Sequence, residues 1–578
     1  MYFMKQLLLG NEAVARGLYE AGVRLVSSYP GTPSTEITEA AAKFDEITCE
    51  WAPNEKVSVE AAAGASFAGA RSFSAMKHVG LNVAADPFFT MSYIGVNGGM
   101  VLAVADDPGM HSSQNEQDSR NHAIAAKVPM LEPADSQECK EFTKLAYALS
   151  EQFDTPFVVR LTTRISHSRS LVELCDRVEP ELKPYVKNPQ KNVMLPAMAK
   201  IKHPIVEERT QKLIQWAEQA DINRIEMNDT SVGIITAGAC YQYAKEAMGE
   251  NASYLKLGMV NPLPVELIKR FAAQVDTLYV IEELDDVIET HCRKQGVKVI
   301  GKELFPRCGE FNQQLVRKLL TGQTLPATAL EANIPVRPPV MCCGCPHRGL
   351  FYALKRAKVY VSGDIGCYTL GASAPLGMMD TCVCMGASVS ALHGYNKVLG
   401  EASEKKSVAV IGDSTFIHSG ITGLIDIAYN SSNSVVIILD NSITGMTGHQ
   451  QNPTTGYNIK GDPAVAVDLE ALCKSVGIER VRVCDPYDLK QTQQVLKEEL
   501  EADGPSVIIS RRPCALLKSV KHKPSLKVDQ EKCIGCKACL AIGCPAISVH
   551  DGKAAIDRTQ CVGCGVCEGL CPKKAIVE

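Results

Sequence analysis

Residues 407–448, SVAVIGDSTFIHSGITGLIDIAYNSSNSVVIILDNSITGMTG, decide the fold. Ser407 to Ile411 is a strand-length run of small apolar residues, and Gly412-Asp413 ends it. A helix is expected from about His418 to Tyr429, then a second apolar strand, Ser434 to Leu439, closed by Asp440-Asn441. Strand, helix and strand in that order make a β-α-β unit of a parallel sheet. Both polar endings then fall at carboxyl ends of parallel strands, where open α/β sheets bind ligands. Asp413 and Asn441 are 28 residues apart along this unit and offer oxygen donors. Such donors suit a hard cation, and Mg2+ takes oxygens in octahedral array while bridging phosphates. A lone strand-end Asp or a lone turn Asn says little; the spacing and the two strand patterns together carry the reading.

The same rhythm extends outward. Short apolar runs ending in turns, VRLVSSYPGTPS, MVLAVADDPG and TPFVVRLTTR, alternate with small-residue helical stretches over residues 1–180. Residues 181–229 are polar, proline-bearing and of mixed charge, and are expected to be a connector. A second α/β unit is expected over 230–325, a linker over 325–340, a third unit over 338–518, and a separate tail over 525–578. A chain of 578 residues has room for several domains. A net charge of -5 leaves no footprint for nucleic acid or for a membrane surface. No apolar run approaches the roughly 20 residues of a membrane span, and the opening segment is too short for a secretory leader. The expectation is a cytoplasmic protein with neither nucleic-acid nor membrane partners.

The tail is dense in thiols. Cys533, Cys536 and Cys539 are spaced C-x2-C-x2-C and followed by Cys544-Pro545; Cys561, Cys564 and Cys567 repeat the pattern, followed by Cys571-Pro572. This is the bacterial-ferredoxin run, in which the fourth cysteine of each repeat ligates the other repeat's cluster. One [4Fe-4S] cluster is therefore assigned to Cys533, Cys536, Cys539 and Cys571, the other to Cys561, Cys564, Cys567 and Cys544. A disulfide framework needs an oxidising compartment, and zinc uses paired C-x2-C sites rather than triplets closed by Cys-Pro. The first repeat departs from the pattern, with four residues rather than three before Cys544. Exposed low-potential clusters of this type also lead us to expect an anaerobic or microaerobic setting.

The stretch around Gly412 resembles the thiamine-diphosphate motif, Gly-Asp, a spacer, then Asn. By that resemblance Asp413, the Asn441 side chain and the main-chain carbonyl of Ile443 hold Mg2+ on the diphosphate. Ser414 stands where many members have Gly, and Asp440 where many have Asn. Enzymes of this kind carry a second, pyrimidine-binding domain with a glutamate that moves a proton at the cofactor. NEKVSVEAAAGASFAGARSF supplies a candidate in Glu60, at the start of a helix of small residues, with Glu55 as the competing carboxylate. Thr32, in the rigid YPGTP turn, Lys77 and His78 after a strand, and His347 in CGCPHRG are candidate substrate or cofactor contacts. Each of these four is as compatible with ordinary surface polarity on an α/β scaffold.

Thiamine halves joined to a two-cluster tail resemble the 2-oxoacid:ferredoxin oxidoreductases. YPGTPSTEI, NEKVSVEAAAGAS, MKHVGLNVAADP, CGCPHRGLFYAL, GDIGCYTLG and CMGAS, in this order, are similar to the alpha subunits of indolepyruvate:ferredoxin oxidoreductase. The resemblance covers nearly the whole chain. It implies an α/β multidomain fold: two thiamine-diphosphate-binding-type doubly wound domains, a transketolase-C-like domain, and an α+β dicluster ferredoxin domain. It implies a separate beta subunit in a hetero-oligomer. The implied reaction converts an aryl pyruvate, coenzyme A and two oxidised ferredoxins to aryl acetyl-CoA, CO2 and two reduced ferredoxins. No coenzyme A motif is visible. Relatives also hold a third cluster near the cofactor with a C-x2-C pair, a Gly-Cys turn and a late cysteine; here Cys342, Cys345, Cys367 and Cys514 stand in those contexts. Two rivals remain open on the sequence: another 2-oxoacid as substrate, pyruvate among them, and an electron-transfer subunit with a degenerate thiamine fold.

Overall fold

A computed structural model of the chain describes residues 4–326, 333–335 and 338–578. The chain divides into two compact units, 1–330 and 331–578. The linker expected over 325–340 lies partly outside the described residues.

The first unit is built on a seven-stranded sheet. Its strands run, in spatial order, Met259–Asn261, Met130–Leu131, Phe157–Thr162, Met100–Asp106, Ser72–Lys77, Leu25–Ser28 and Thr48–Trp51. All neighbours are parallel except the edge strand Met259–Asn261. Every residue of Met100–Asp106 and Phe157–Thr162 is buried, as expected of strands covered on both faces. Full burial of each Val or Leu there contributes roughly 1.5–3 kcal/mol. A smaller sheet, ordered Thr277–Ile281, Val232–Ala237, Ser253–Leu257 and Arg224–Glu226, forms the second α/β layer. The chain leaves this sheet at Leu257 and adds Met259–Asn261 to the larger one, so the two sheets share one apolar core.

The stretch expected to be a connector, 181–229, is in good part regular. Helix Pro196–Ala217 fills its middle, and strand Arg224–Glu226 its end. Only Val206, Arg209, Leu213 and Ala217 of the helix are buried, and Pro204 lies inside it, so the apolar stripe is narrow and its period is hard to read.

The second unit carries a six-stranded parallel sheet, ordered Thr381–Cys382, Tyr360–Gly363, Ser407–Gly412, Val435–Asp440, Ser506–Arg511 and Arg480–Cys484. The two strands read from residues 407–448 are its centre. Between them the chain passes through a π-turn, Phe416–Gly420, before helix Ile421–Tyr429. Such wide turns concentrate at functional sites, and this one follows the short turn Asp413–Thr415. The tail adds two antiparallel pairs, Lys527–Val528 with Ile576–Val577 and Ile547–His550 with Lys553–Ile556. Its core is made largely of its own cysteines with Leu526, Ile542, Ile547, Val566 and Ile576.

Candidate active site

In the second unit, Asp413 and Asn441 stand at the carboxyl ends of adjacent parallel strands, as their spacing requires. The Ser414 N–H donates to Asp413 Oδ1 at 2.8 Å, and Thr454 Oγ donates to Oδ2 at 3.5 Å. Burial first, and the Asp440 carboxylate second, push the Asp413 carboxyl up to about 7. A buried carboxyl facing a second carboxylate is a place that a cation relieves. Asp440 is partly neutralised by Arg511, whose Nε lies 2.8 Å from its Oδ2. The Ile443 N–H donates to Asn441 Oδ1 at 3.3 Å, which fixes the loop whose Ile443 carbonyl is the third expected donor. Thr444 Oγ donates to Ser414 Oγ at 3.0 Å and ties the two strand ends together. A Cβ on Gly412 would stand 2.8 Å from the Tyr368 ring, so glycine there admits the aromatic beneath the loop.

His347 joins this cluster. It is buried, packs edge-on against Tyr368, and its Nε2 is 3.5 Å from the Asn441 amide nitrogen. Asp364, within the GDIGCYTLG stretch, has a role that the sequence alone does not assign. Its buried carboxylate accepts the N–H groups of Gly386 and Ser388, each at 2.9 Å, and so shapes the CMGAS loop. Only tertiary structure pairs residues 364 and 386.

The cysteines of the expected third cluster gather against the same loop. The Cys514 N–H donates to the Asn441 carbonyl at 2.9 Å. A Cβ on Gly445 would stand 3.3 Å from Cys367 Sγ and 3.8 Å from Asn441 Nδ2. Burial first, and neighbouring thiols after it, push Cys345, Cys367 and Cys514 upward; Cys342 acts on all three, Cys367 on Cys345, and Cys514 on Cys367. Four thiols that repel one another when ionised are the donor chemistry a cationic iron cluster satisfies.

The tail fits its clusters in the same terms. Cys533, Cys536, Cys539 and Cys571 line one cavity, the crossed set expected from the motif. After burial, Cys564, Cys544 and Cys561 raise the pKa of Cys567, which brings together the second crossed set. Among the described residues no group of three His, Cys, Asp or Glu is arranged around a single metal ion. The tail thiols share that property, since cluster ligands stand around a cube rather than one ion.

In the first unit, Thr32, Lys77 and His78 come together at the carboxyl edge of the large sheet. A Cβ on Gly31 would stand 3.3 Å from Lys77 Cγ. Ser112 bridges two of the three: its Oγ donates to the Thr32 carbonyl at 3.3 Å and its own carbonyl accepts from Lys77 Nζ at 3.0 Å. Burial lowers the Lys77 pKa, opposed by Asp107 and Glu55. His78 is buried, with Nε2 at 3.2 Å from the Asn115 carbonyl and Nδ1 without a protein partner. With Nε2 donating, Nδ1 is an acceptor available to a ligand. Asp107, missed in the sequence, organises the loop beside them through the Ser112 N–H at 2.8 Å, Ser113 Oγ at 2.7 Å and Thr163 Oγ at 2.6 Å.

Glu60 lies apart from this group. It is on the open face of helix Glu55–Phe67, in an ion pair with Lys56, and its side chain is 47% exposed. Gly64, one turn on, has nothing within 4 Å of its Cβ position, so the face around Glu60 is low and uncovered. Glu55 is the buried carboxylate, at 4% exposure, lying against Gly80.

Known families cover the chain in three blocks. Residues 16–234 match pyruvate flavodoxin/ferredoxin oxidoreductase, thiamine diphosphate-binding; 364–510 match the C-terminal TPP-binding domain of thiamine pyrophosphate enzymes; 525–572 match a 4Fe-4S dicluster domain. Indolepyruvate oxidoreductase subunit IorA of Archaeoglobus fulgidus is 42% identical over 610 residues, covering 99% of this chain and 97% of the relative. The protein of that name from Pyrococcus horikoshii is 40% identical over 624 residues, covering 98% of this chain and 96% of the relative. That from Methanothermobacter thermautotrophicus is 38% identical over 603 residues, at 99% and 97%. Among the described residues no helix is long and apolar enough to cross a membrane. An α/β chain with two thiamine-type domains and a dicluster tail, alike to these subunits end to end, belongs to the indolepyruvate oxidoreductase IorA family of 2-oxoacid:ferredoxin oxidoreductases.

Proposed function

We propose that the chain catalyses coenzyme A-dependent oxidative decarboxylation of aryl pyruvates, indolepyruvate above all, and passes two electrons singly to ferredoxin with a smaller beta subunit as partner. The observation that carries it is the gathering of thiols at the loop after Asn441: a Cβ on Gly445 would stand 3.3 Å from Cys367 Sγ, and the Cys514 N–H donates to the Asn441 carbonyl at 2.9 Å. A non-redox decarboxylase has no use for thiols there. The aryl choice is supported by identities of about 40% to subunits named for indolepyruvate.

Asp413, Asn441 and the Ile443 carbonyl would hold Mg2+, and Gly412 and Ser414 would line the diphosphate site. Thiamine diphosphate, when bound, supplies the nucleophile and the electron sink for loss of CO2. Glu60 holds a proton at N1' of the aminopyrimidine, a role that requires its open helix face to be covered. Lys77, with Thr32 beside it, receives the substrate carboxylate, and His78 Nδ1 accepts a hydrogen bond from the bound ligand. His347 orients Asn441. Cys342, Cys345, Cys367 and Cys514 would hold a third cluster, and the eight tail cysteines two more. Intact Asp413 and Asn441 weigh against a degenerate electron-transfer subunit.

The test is product identity. Anaerobic incubation with the beta subunit, indolepyruvate, coenzyme A and oxidised ferredoxin should yield indole-3-acetyl-CoA by mass spectrometry. Release of indoleacetaldehyde with no coenzyme A product would replace oxidation by simple decarboxylation.

A further inference from the structure

The two tail clusters face different surroundings. The loop between Cys342 and Cys345 is pressed onto the second repeat: a Cβ on Gly344 would collide with Val562, which lies between Cys561 and Cys564. Tyr487 Oη donates to the Gly344 carbonyl, and Arg348 donates to the carbonyls of Cys342 and of Ile542 and Gly543, just before Cys544, the fourth ligand assigned to the second cluster. The second repeat is thus turned inward, toward the cysteines grouped at Asn441.

The start of the first repeat, Ile534 to Lys537, is turned outward. Cys536 is exposed, and the apolar Ile534 near it is 59% exposed. Lys537 and Lys573 line the cavity of Cys533, Cys536, Cys539 and Cys571, and Lys574 follows; all three lysines are exposed. Lys532 is nearby but tied to Asp529 at 3.0 Å, and Glu531 is the exposed acid on the same turn. A competing basic surface lies beside Cys564, lined by Lys490, Lys521 and Lys523. It also contains Asp485 and Asp488, and its Arg512 is bonded to Asp485 at 2.7 Å.

We propose that Ile534, ringed by Lys537, Lys573 and Lys574, is the docking face for an acidic one-electron carrier protein of the ferredoxin class. An apolar centre within a polar rim is general interface anatomy, and charge on the rim sets encounter rate more than final affinity. Each docking oxidises the chain by one electron and reduces the carrier by one, so two oxidised carriers are consumed per 2-oxoacid cleaved. The proposal rests on the functional reading above.

The experiment measures binding of an acidic bacterial-type ferredoxin to the intact, iron-loaded complex by biolayer interferometry, without substrate, at low and high ionic strength. Lys537→Glu/Lys573→Glu/Lys574→Glu is expected to weaken binding by about tenfold or more at low salt and to flatten its salt dependence. Lys490→Glu/Lys521→Glu/Lys523→Glu should bind as wild type. Wild-type affinity in the first variant, or an equal loss in the second, overturns the proposal. If the glutamate set loses iron, the Lys→Gln set at 537, 573 and 574 is measured instead, and wild-type affinity there overturns it. A complex that docks ferredoxin but turns over no 2-oxoacid leaves this face standing and removes the functional reading.

Discussion

His347 Nε2 stands 3.5 Å from the side-chain nitrogen of Asn441, joining the helix that follows the C-x2-C pair to the loop that follows strand Val435–Asp440. Burial holds the imidazole down to about 4, so it is neutral and accepts from the amide. That bond turns Asn441 Oδ1 away from His347 and toward the loop. Partners that orient a metal ligand are typically worth about 10–100-fold in affinity. His347→Leu is therefore expected to weaken Mg2+-dependent thiamine diphosphate binding within that range, measured by calorimetry. Asp413→Ala should abolish binding with iron content unchanged. Wild-type affinity in the His347 variant would leave the histidine a packing residue.

Glu60→Gln should keep the fold and the cofactor but slow hydrogen–deuterium exchange at C2 of thiamine, by about 10²–10⁴-fold as general acid–base terms run. Glu55→Gln, at a buried carboxylate against Gly80, should lower thermal stability without that kinetic signature. If exchange collapses in the Glu55 variant and survives in the Glu60 variant, the two assignments are reversed.

Cys367→Ser in the full chain should remove about four irons per chain, the content of one cubane cluster, and leave the two tail clusters visible by EPR after reduction. Unchanged iron would remove Cys367, and with it the gathering at Gly445, from any cluster.

Glu283 offers a stability prediction independent of catalysis. Burial pushes its carboxyl up from 4.5 to about 7, though it accepts the Phe311 N–H at 2.7 Å. A raised folded-state pKa means the native state binds the proton more tightly than the unfolded chain. Stability is then full below the unfolded value and falls as pH rises toward and through about 7. The whole effect is of order 3 kcal/mol at about 1.4 kcal/mol per unit. Glu283→Gln should flatten the fall, gaining melting temperature over wild type at pH above 7 and little near pH 5. Parallel melting curves at both ends would exclude Glu283 as the source.

The tail ligands are legible in the sequence because cluster ligation fixes cysteine spacing locally. Asp413 and Asn441 are legible because one β-α-β unit sets the distance between two strand ends. Asp364, Asp107 and the Gly344–Val562 contact are not, since each acts through residues that only tertiary packing brings near. The helix Pro196–Ala217 escapes for a different reason: four buried residues in 22 give too thin an apolar stripe to announce a period. Glu60 and Glu55 lie five residues apart on helix Glu55–Phe67, and its rotation, which the sequence does not set, leaves Glu55 covered and Glu60 open.

An oxidative decarboxylase that prefers an aryl 2-oxoacid and delivers single electrons to ferredoxin is tested by kcat/KM for ferredoxin reduction with indolepyruvate, pyruvate and 2-oxoglutarate, with and without coenzyme A, using the complex with its beta subunit. Reduction is expected to depend on coenzyme A, with indolepyruvate favoured by about 100-fold or more, roughly what burying an aromatic ring contributes. Equal or higher kcat/KM with pyruvate or 2-oxoglutarate would contradict it.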